Sequence, residues 1–194
     1  ETWRHTARQV TAMLSASRAA EAHPYLEAKG VRSHGLRQDE DGRLLVPVRD
    51  AHGTVWSVQK IGADGFKHFA ENSRVEGGHF VIGDLSKPGP LLIAEGYATA
   101  ATVHELTGQP AIVAFNAGNL PSVAQAYRDC LPERPIYIAG DDDRHNEGEI
   151  GPDGRPKRNV GREKAEEAAT AIGGQAIFPV FPAGDRGTDW NDLA

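Results

Sequence analysis

Acidic residues at three separated places carry the chemistry this sequence could perform: Glu95-Gly96, the triplet Asp141-Asp142-Asp143, and Asp185 followed by Thr188-Asp189-Trp190-Asn191-Asp192. Each group follows a short apolar run that reads as a strand, and residues at the carboxyl ends of parallel strands converge on one rim. Within the triplet, Asp141 and Asp143 form the natural pair, because alternate side chains of an extended segment project to the same side, leaving Asp142 to point elsewhere. Hard divalent cations take carboxylate oxygens, keep several waters and bind through one or two protein carboxylates plus substrate phosphates. Such a cluster suits phosphoryl or nucleotidyl transfer. Three or four carboxylates crowded without a cation would repel one another and raise some of their pKa values, so convergence implies an ion or a bound proton.

Each of these residues has a plainer alternative. Glu95 could serve the N-terminus of the following helix, where a carboxylate is stabilising. An acidic triplet after a strand can be a solvated loop. Asp189 and Asp192 suit helix capping, and Trp190 suits packing or, as a second option, base stacking. Basic residues gather just beyond the triplet: Arg144, Arg155, Lys157 and Arg158, with Arg162 and Lys164 opening the next helix. They would either grip a triphosphate or a template backbone, or neutralise Glu147, Glu149, Asp153 and the neighbouring acids. His145 adjoins the triplet and is either a phosphate contact or a loop residue. No two of the eight histidines have metal-ligand spacing, which argues against zinc. The single cysteine, Cys130, excludes an internal disulfide and a Cys-based zinc module in this stretch, and a buried thiol is expected.

The elements that must position the acids are legible from periodicity. Beyond Pro88-Gly89-Pro90, apolar runs at Leu91–Ala94, Ala111–Phe115, Ile136–Ala139 and Ala176–Val180 alternate with helical segments. Those helices start at Tyr97, at about Pro121 (with Val123, Tyr127, Cys130 and Leu131 on one face) and before the Ala165, Ala168, Ala169, Ile172 stripe. This alternation predicts a parallel α/β sheet with helices on both faces. Before it, Trp3, Ala7, Val10, Met13 and Leu14 recur at helical spacing from Trp3 to about Ala20, and a second short helix opens at Tyr25-Leu26 and ends at Gly30. Leu44–Val48, Thr54–Ile61 and Lys67–Ala70, separated by turn formers, predict an antiparallel meander; Pro47 places its strand at an edge or beside a bulge. The expected domains are therefore 1–87, a helical arm with an antiparallel β subdomain, and 88–194, the α/β core. One long irregular stretch, about Arg144 to Asn159 and rich in glycine and proline, has the length of a functional or mobile loop.

A 39% hydrophobic content in short runs fits a folded protein, and no run approaches the ~20 apolar residues of a membrane span. The net charge of −6 excludes a uniformly basic nucleic-acid surface without excluding metal-mediated nucleic-acid chemistry. With Glu1 in place of Met and no signal-peptide pattern, the chain reads as part of a larger cytoplasmic protein with a domain upstream.

Glu95-Gly96-Tyr97-Ala98-Thr99-Ala100 resembles a signature of plasmid and satellite-phage primases, those of the TraC type. The strand-end Glu-Gly, the later Asp-x-Asp and a final acidic turn, in that order, resemble the Toprim domain shared by bacterial primases, topoisomerases and some nucleases. Further similarity lies in His23–Gly30, Leu45–Val48, Asn159-Val160-Gly161 and Gly187–Asp192, so the resemblance covers most of the chain. It implies that Glu95 assists proton transfer or metal binding, that Asp141 and Asp143 hold Mg²⁺ or Mn²⁺, and that Asp189 adds an acidic contact. It implies a nucleotidyltransferase that makes RNA primers from ribonucleoside triphosphates on single-stranded DNA, in plasmid conjugation or replication. Asp142, standing where a small residue is usual, the long loop after it and the lack of a zinc module depart from the pattern; an isolated piece is then expected to bind metal and nucleotide yet synthesise little. A Toprim nuclease and a non-catalytic module of a relaxase-like mobilisation protein stay open as alternatives. A dehalogenase-type phosphatase fits less well, because His145 stands where Thr or Val should be.

Overall fold

A computed structural model describes residues 2–145, 147–150, 152, 154–182 and 184–194. Gly151 and Asp153, placed in the long loop by the sequence, lie outside the described residues. The chain divides into two compact units, one ending at Phe80 and the other beginning at Val81.

In the first unit, α1 (Thr2–Ala16) buries Thr6, Val10 and Leu14, one residue per turn, and Val10 and Leu14 pack on Leu45 and Val58. Trp3 is left exposed, so the buried stripe is narrower than the apolar spacing implied. The helix stops at Ala16 rather than near Ala20 because Arg18–Ala19 (β1) pairs with Arg37–Gln38 (β2). Helix α2 (Pro24–Lys29) starts with proline in its first turn, where no intrahelical N–H is needed, and ends at Gly30 with φ of 62°. Strands β3 (Leu44–Arg49), β4 (Val55–Ile61) and β5 (Lys67–Phe69) complete an antiparallel sheet in the order β1-β2-β3-β4-β5. Pro47 is tolerated because β2 pairs only with Leu44 and Leu45, so its missing N–H faces no neighbouring strand; the register also shifts just beyond, between Val48 and Arg49.

The second sheet runs β10-β9-β7-β8-β6, made of β6 (Phe80–Ile82), β7 (Leu91–Ala94), β8 (Ala111–Val113), β9 (Ile136–Ala139) and β10 (Gln175–Ile177). Its pairs β10/β9, β9/β7 and β7/β8 are parallel. Leu91, Ile93, Ile112, Ile136 and Ile138 point to one face and pack with α4 (Leu120–Cys130) and α5 (Val160–Ala171). Helix α3 (Tyr97–Thr107) lies on β7 and β8 and takes no part in that cluster, so it covers the opposite face, towards which the alternate strand residues project. Strand β10 ends at Ile177, short of the predicted Val180, since Pro179 has no N–H for a ladder. Cys130 is exposed, contrary to expectation: α4 ends there, and its buried residues are Leu120, Val123, Ala124 and Tyr127. A short helix, α6 (Trp190–Leu193), closes the described chain.

Candidate metal and nucleotide site

Strand register decides where the acids emerge. Ala94 of β7 is the partner of Ala139 of β9, so Glu95 and Gly140 leave neighbouring parallel strands side by side at the carboxyl edge, with Asp141 one residue further on. Adjacent strands lie about 4.8 Å apart. Glu95 is half-buried, and the N-cap of α3 is Gly96 rather than Glu95.

The triplet is held by polar bonds. Asp142 is turned inward and only 6% exposed: its N–H donates to Thr188 O (2.7 Å), its Oδ1 accepts from Asn159 Nδ2 (2.7 Å), and its Oδ2 lies 3.4 Å from both Arg144 and Arg162. Asn159, 3% exposed, caps α5 by accepting from Arg162 N–H (3.3 Å) and also accepts from Asp143 N–H (3.2 Å). One amide therefore grips Asp142 through its side chain and Asp143 through its backbone. Asp141 and Asp143, on either side of the inward Asp142, are half-buried. Two glycines bring α5 this close. A Cβ at Gly140 would stand 2.5 Å from the Phe178 ring and 2.7 Å from Ala165 Cβ, and one at Gly161 would stand 3.3 Å from Asp141 O. The bond between Asp142 and Asn159 was missed from sequence; an Asn directly before an alanine-rich helix was a legible capping signal.

The third acidic turn joins the same corner through Thr188. Asp189 caps α6, its Oδ1 accepting from Asn191 N–H (2.8 Å) and Asp192 N–H (2.9 Å), while Asp192 Oδ2 accepts from Thr188 N–H (2.9 Å). The capping alternative for Asp189 and Asp192 is thus realised. Asn191 Nδ2 donates to Thr102 Oγ1 of α3 (2.9 Å), which ties this turn to the helix that follows Glu95.

The Toprim domain model matches residues 90–194, more than half of the chain. The chain belongs to the Toprim family. Two Escherichia coli proteins named DNA primase TraC are each 45% identical to it, over 171 and 163 residues. The matches take in 86% and 81% of this chain but only 16% and 11% of those proteins, so the chain spans a small part of the relatives it resembles. Among solved structures, the primase fragment of the bacteriophage T7 primase-helicase aligns with a TM-score of 0.63 at 19% identity, covering 93% of this chain and 72% of that one. The DnaG primase catalytic domain bound to single-stranded DNA aligns at 0.57 with 15% identity, covering 98% and 74%. These two show a shared fold.

The basic residues around the Toprim acids are engaged with acids. Arg144 and Arg162 reach Asp142, Arg162 also reaches Glu166 (3.2 Å), Lys157 pairs with Glu149 (2.9 Å), Arg158 with Glu163 and Lys164 with Glu167 (2.6 Å). Arg144 and Arg162 also lie over the rings of Phe181 and Phe178, at 5.0 and 4.2 Å. The Lys157 hydrogen bond and charge hold the Glu149 carboxyl below its ordinary range, and Glu163 raises Arg158 in the same way. Described residues between Arg144 and Asn159 pair as in a hairpin: Gly148 N–H donates to Lys157 O, Lys157 N–H to Glu149 O, and Ile150 bridges to Pro156. His145 is exposed.

Among the described residues, no three His, Cys, Asp or Glu side chains stand close enough to ligate one ion. That rules against a closed all-protein cage. The carboxylates of Glu95, Asp141 and Asp143, carried to one sheet edge by the strand register, have the donor chemistry for a hard cation that takes one or two of them and completes its shell with water and phosphate. Residues 81–194 hold seventeen Asp and Glu against ten Lys and Arg, so the chain's net negative charge resides in the Toprim unit. Such an excess favours cations over a bare phosphate backbone.

Proposed function

We propose that this chain is the catalytic Toprim part of a DNA primase, a nucleotidyltransferase that joins ribonucleoside triphosphates into RNA primers on single-stranded DNA with Mg²⁺ or Mn²⁺. The observation that carries this is the Ala94–Ala139 register, which sets Glu95 beside the Asp141–Asp143 loop at one sheet edge. The 45% identity to proteins named DNA primase and the fold shared with primase catalytic cores support the same reading. A single-stranded template, nucleoside triphosphates, the remainder of a larger parent protein and a cytoplasmic setting in plasmid conjugation or replication belong to this proposal. No described helix is long and apolar enough to cross a membrane.

Asp141 and Asp143 would hold the cation with water and phosphate completing its shell, and Asp189 would add an outer acidic contact from the third turn, since no three acids among the described residues stand close enough to ligate one ion. When bound, a cation there would supply Lewis acidity at the α-phosphate and favour loss of the proton from the attacking 3′-hydroxyl. Glu95 receives that proton as the hydroxyl oxygen bonds to the α-phosphorus and pyrophosphate departs. Arg144 and Arg162 would meet incoming phosphates with the N–H groups not turned to Asp142, and Lys157, Arg158 and Lys164 would meet the template or triphosphate, exchanging their present carboxylate partners for phosphate oxygens.

The test is primer synthesis by the chain on a single-stranded template with labelled ribonucleotides and Mn²⁺. Labelled RNA, in the small yield expected of an isolated piece, should come from the unaltered chain and not from Glu95→Gln or Asp141→Asn with unchanged circular dichroism. Cleaved template in place of new RNA would identify a nuclease instead, and activity that survives both substitutions would leave these acids without a catalytic role.

A further inference from the structure

The link from β9 to α5 contains a device that the Toprim acids alone do not explain. Asp142 sits between the two proposed metal-binding aspartates, yet it is buried and committed to the interior. Its partner Asn159 comes from 17 residues further along the chain, across the long loop, and is itself buried. A carboxylate is removed from water only when its oxygens are bonded, and both are: Oδ1 accepts from Asn159, and Oδ2 faces two guanidinium groups. The Asn159 oxygen, in turn, takes N–H groups from Asp143 and from Arg162.

We infer that Asn159, acting through Asp142, is a positioning residue that sets the relative placement of Asp141 and Asp143 and so tunes how tightly the pair holds a divalent cation. The inference rests on the proposed function, since it takes Asp141 and Asp143 as the cation's ligands. Turning Asp142 inward is what directs its two neighbours the other way along an extended segment. Bonding to Asp143 N–H fixes the backbone of the second aspartate to the first turn of α5, while Gly161 seats Asp141 against the same turn. The loop between residues 143 and 159 can then vary in length or conformation without disturbing the acids, because the amide bridges its two ends. Groups that orient metal ligands typically change metal affinity by about 10–100-fold when removed.

The decisive experiment measures Mn²⁺ binding by electron paramagnetic resonance, which reads free ion directly, beside the Mn²⁺ dependence of primer synthesis. Asn159→Ser keeps an oxygen for the Arg162 N–H cap but loses the arm that reaches Asp142. It is expected to bind Mn²⁺ about ten-fold more weakly, with the metal concentration for half-maximal rate raised and kcat at saturating metal nearly retained. Asn159→Asp sets two carboxylates against each other and is expected to weaken binding further. The exchange Asp142→Asn with Asn159→Asp restores a donor opposite an acceptor, and recovery to within about three-fold of the unaltered chain is expected from such paired coupling. Unchanged Mn²⁺ affinity in folded Asn159→Ser, or no recovery in a folded exchange variant, would overturn the inference and reduce Asn159 to a helix cap. If the unaltered chain binds no Mn²⁺, or Asp141→Asn binds it equally well, the proposed metal site itself fails. That result is distinct, because it appears before Asn159 is altered.

Discussion

The two links that deliver carboxylates to the Toprim rim reach it by opposite means. Between β7 and α3 only Glu95 and Gly96 intervene, and both flanking elements are sunk in the core: Leu91–Ala94 is buried throughout, as is α3 from Tyr97 to Val103. Between β9 and α5 there are twenty residues, Gly140 to Asn159, and side-chain hydrogen bonds from Asn159 hold Asp142 and Asp143. Backbone geometry places Glu95 and carries Asp141 to the same edge, whereas side-chain partners hold Asp142 and Asp143. The first arrangement should tolerate side-chain changes near the acid, and the second should be sensitive to single polar deletions.

The largest expected effect tests whether the two links serve one site. Glu95→Gln and Asp141→Asn should each lower primer synthesis by at least about 100-fold, the scale of losing a proton acceptor or a charged ligand, with thermal unfolding nearly unchanged. Loss in only one of the two would show that the links are functionally independent despite their adjacency. A second effect concerns the close approach of α5. Gly140→Val should cost about 1–3 kcal/mol through overpacking against Phe178 and Ala165, read as a lower midpoint in thermal or urea unfolding.

The contrast is sharpest in a matched pair. Asp142→Ala leaves the buried Asn159 amide without its acceptor and should cost about 1–3 kcal/mol. Gly96→Ala meets nothing within 4 Å and sits at an ordinary φ of −100°, so it should change stability by less than about 0.5 kcal/mol. Urea unfolding of both variants checks the comparison, and equal losses would break it.

That asymmetry also explains how much could be read from sequence. Glu95 and the triplet were legible because each follows a buried apolar strand, and a parallel sheet gathers strand ends at one edge. The inward turn of Asp142 followed from the period of an extended chain. Its bond to Asn159 did not, because no periodic pattern specifies which polar side chains meet across a loop. The same limit applied to β1, β2 and β6, whose two or three residues are too short to show alternation and form because a neighbouring strand offers hydrogen bonds. Cys130 was misplaced because periodicity alone does not say where a helix stops. The salt bridges were anticipated as a class, but specific pairs such as Lys157–Glu149 depend on the hairpin fold of the long loop.

The smallest expected effect lies in that hairpin and depends on pH. Lys157 holds the Glu149 carboxyl below its ordinary value of 4.5, first through a hydrogen bond and then through its charge. A carboxyl with a folded pKa below its unfolded one contributes stability that is complete above the unfolded value and is lost as pH falls through the folded value. Acidification from pH 6 to below 4 should therefore loosen the pairing of Gly148 and Glu149 with Lys157. Glu149 is exposed, so the change should be confined to the hairpin and leave global unfolding untouched. Hydrogen exchange, corrected for its intrinsic pH dependence, should show lost protection at the amides of Gly148 and Lys157, which donate across the hairpin, and retained protection at Ala100 in α3. Glu149→Gln should show the loosened pattern already at pH 6. Equal loss at Ala100 would mean that acid acts on the whole Toprim unit, and the division into a backbone-held link and a side-chain-held link would no longer describe it.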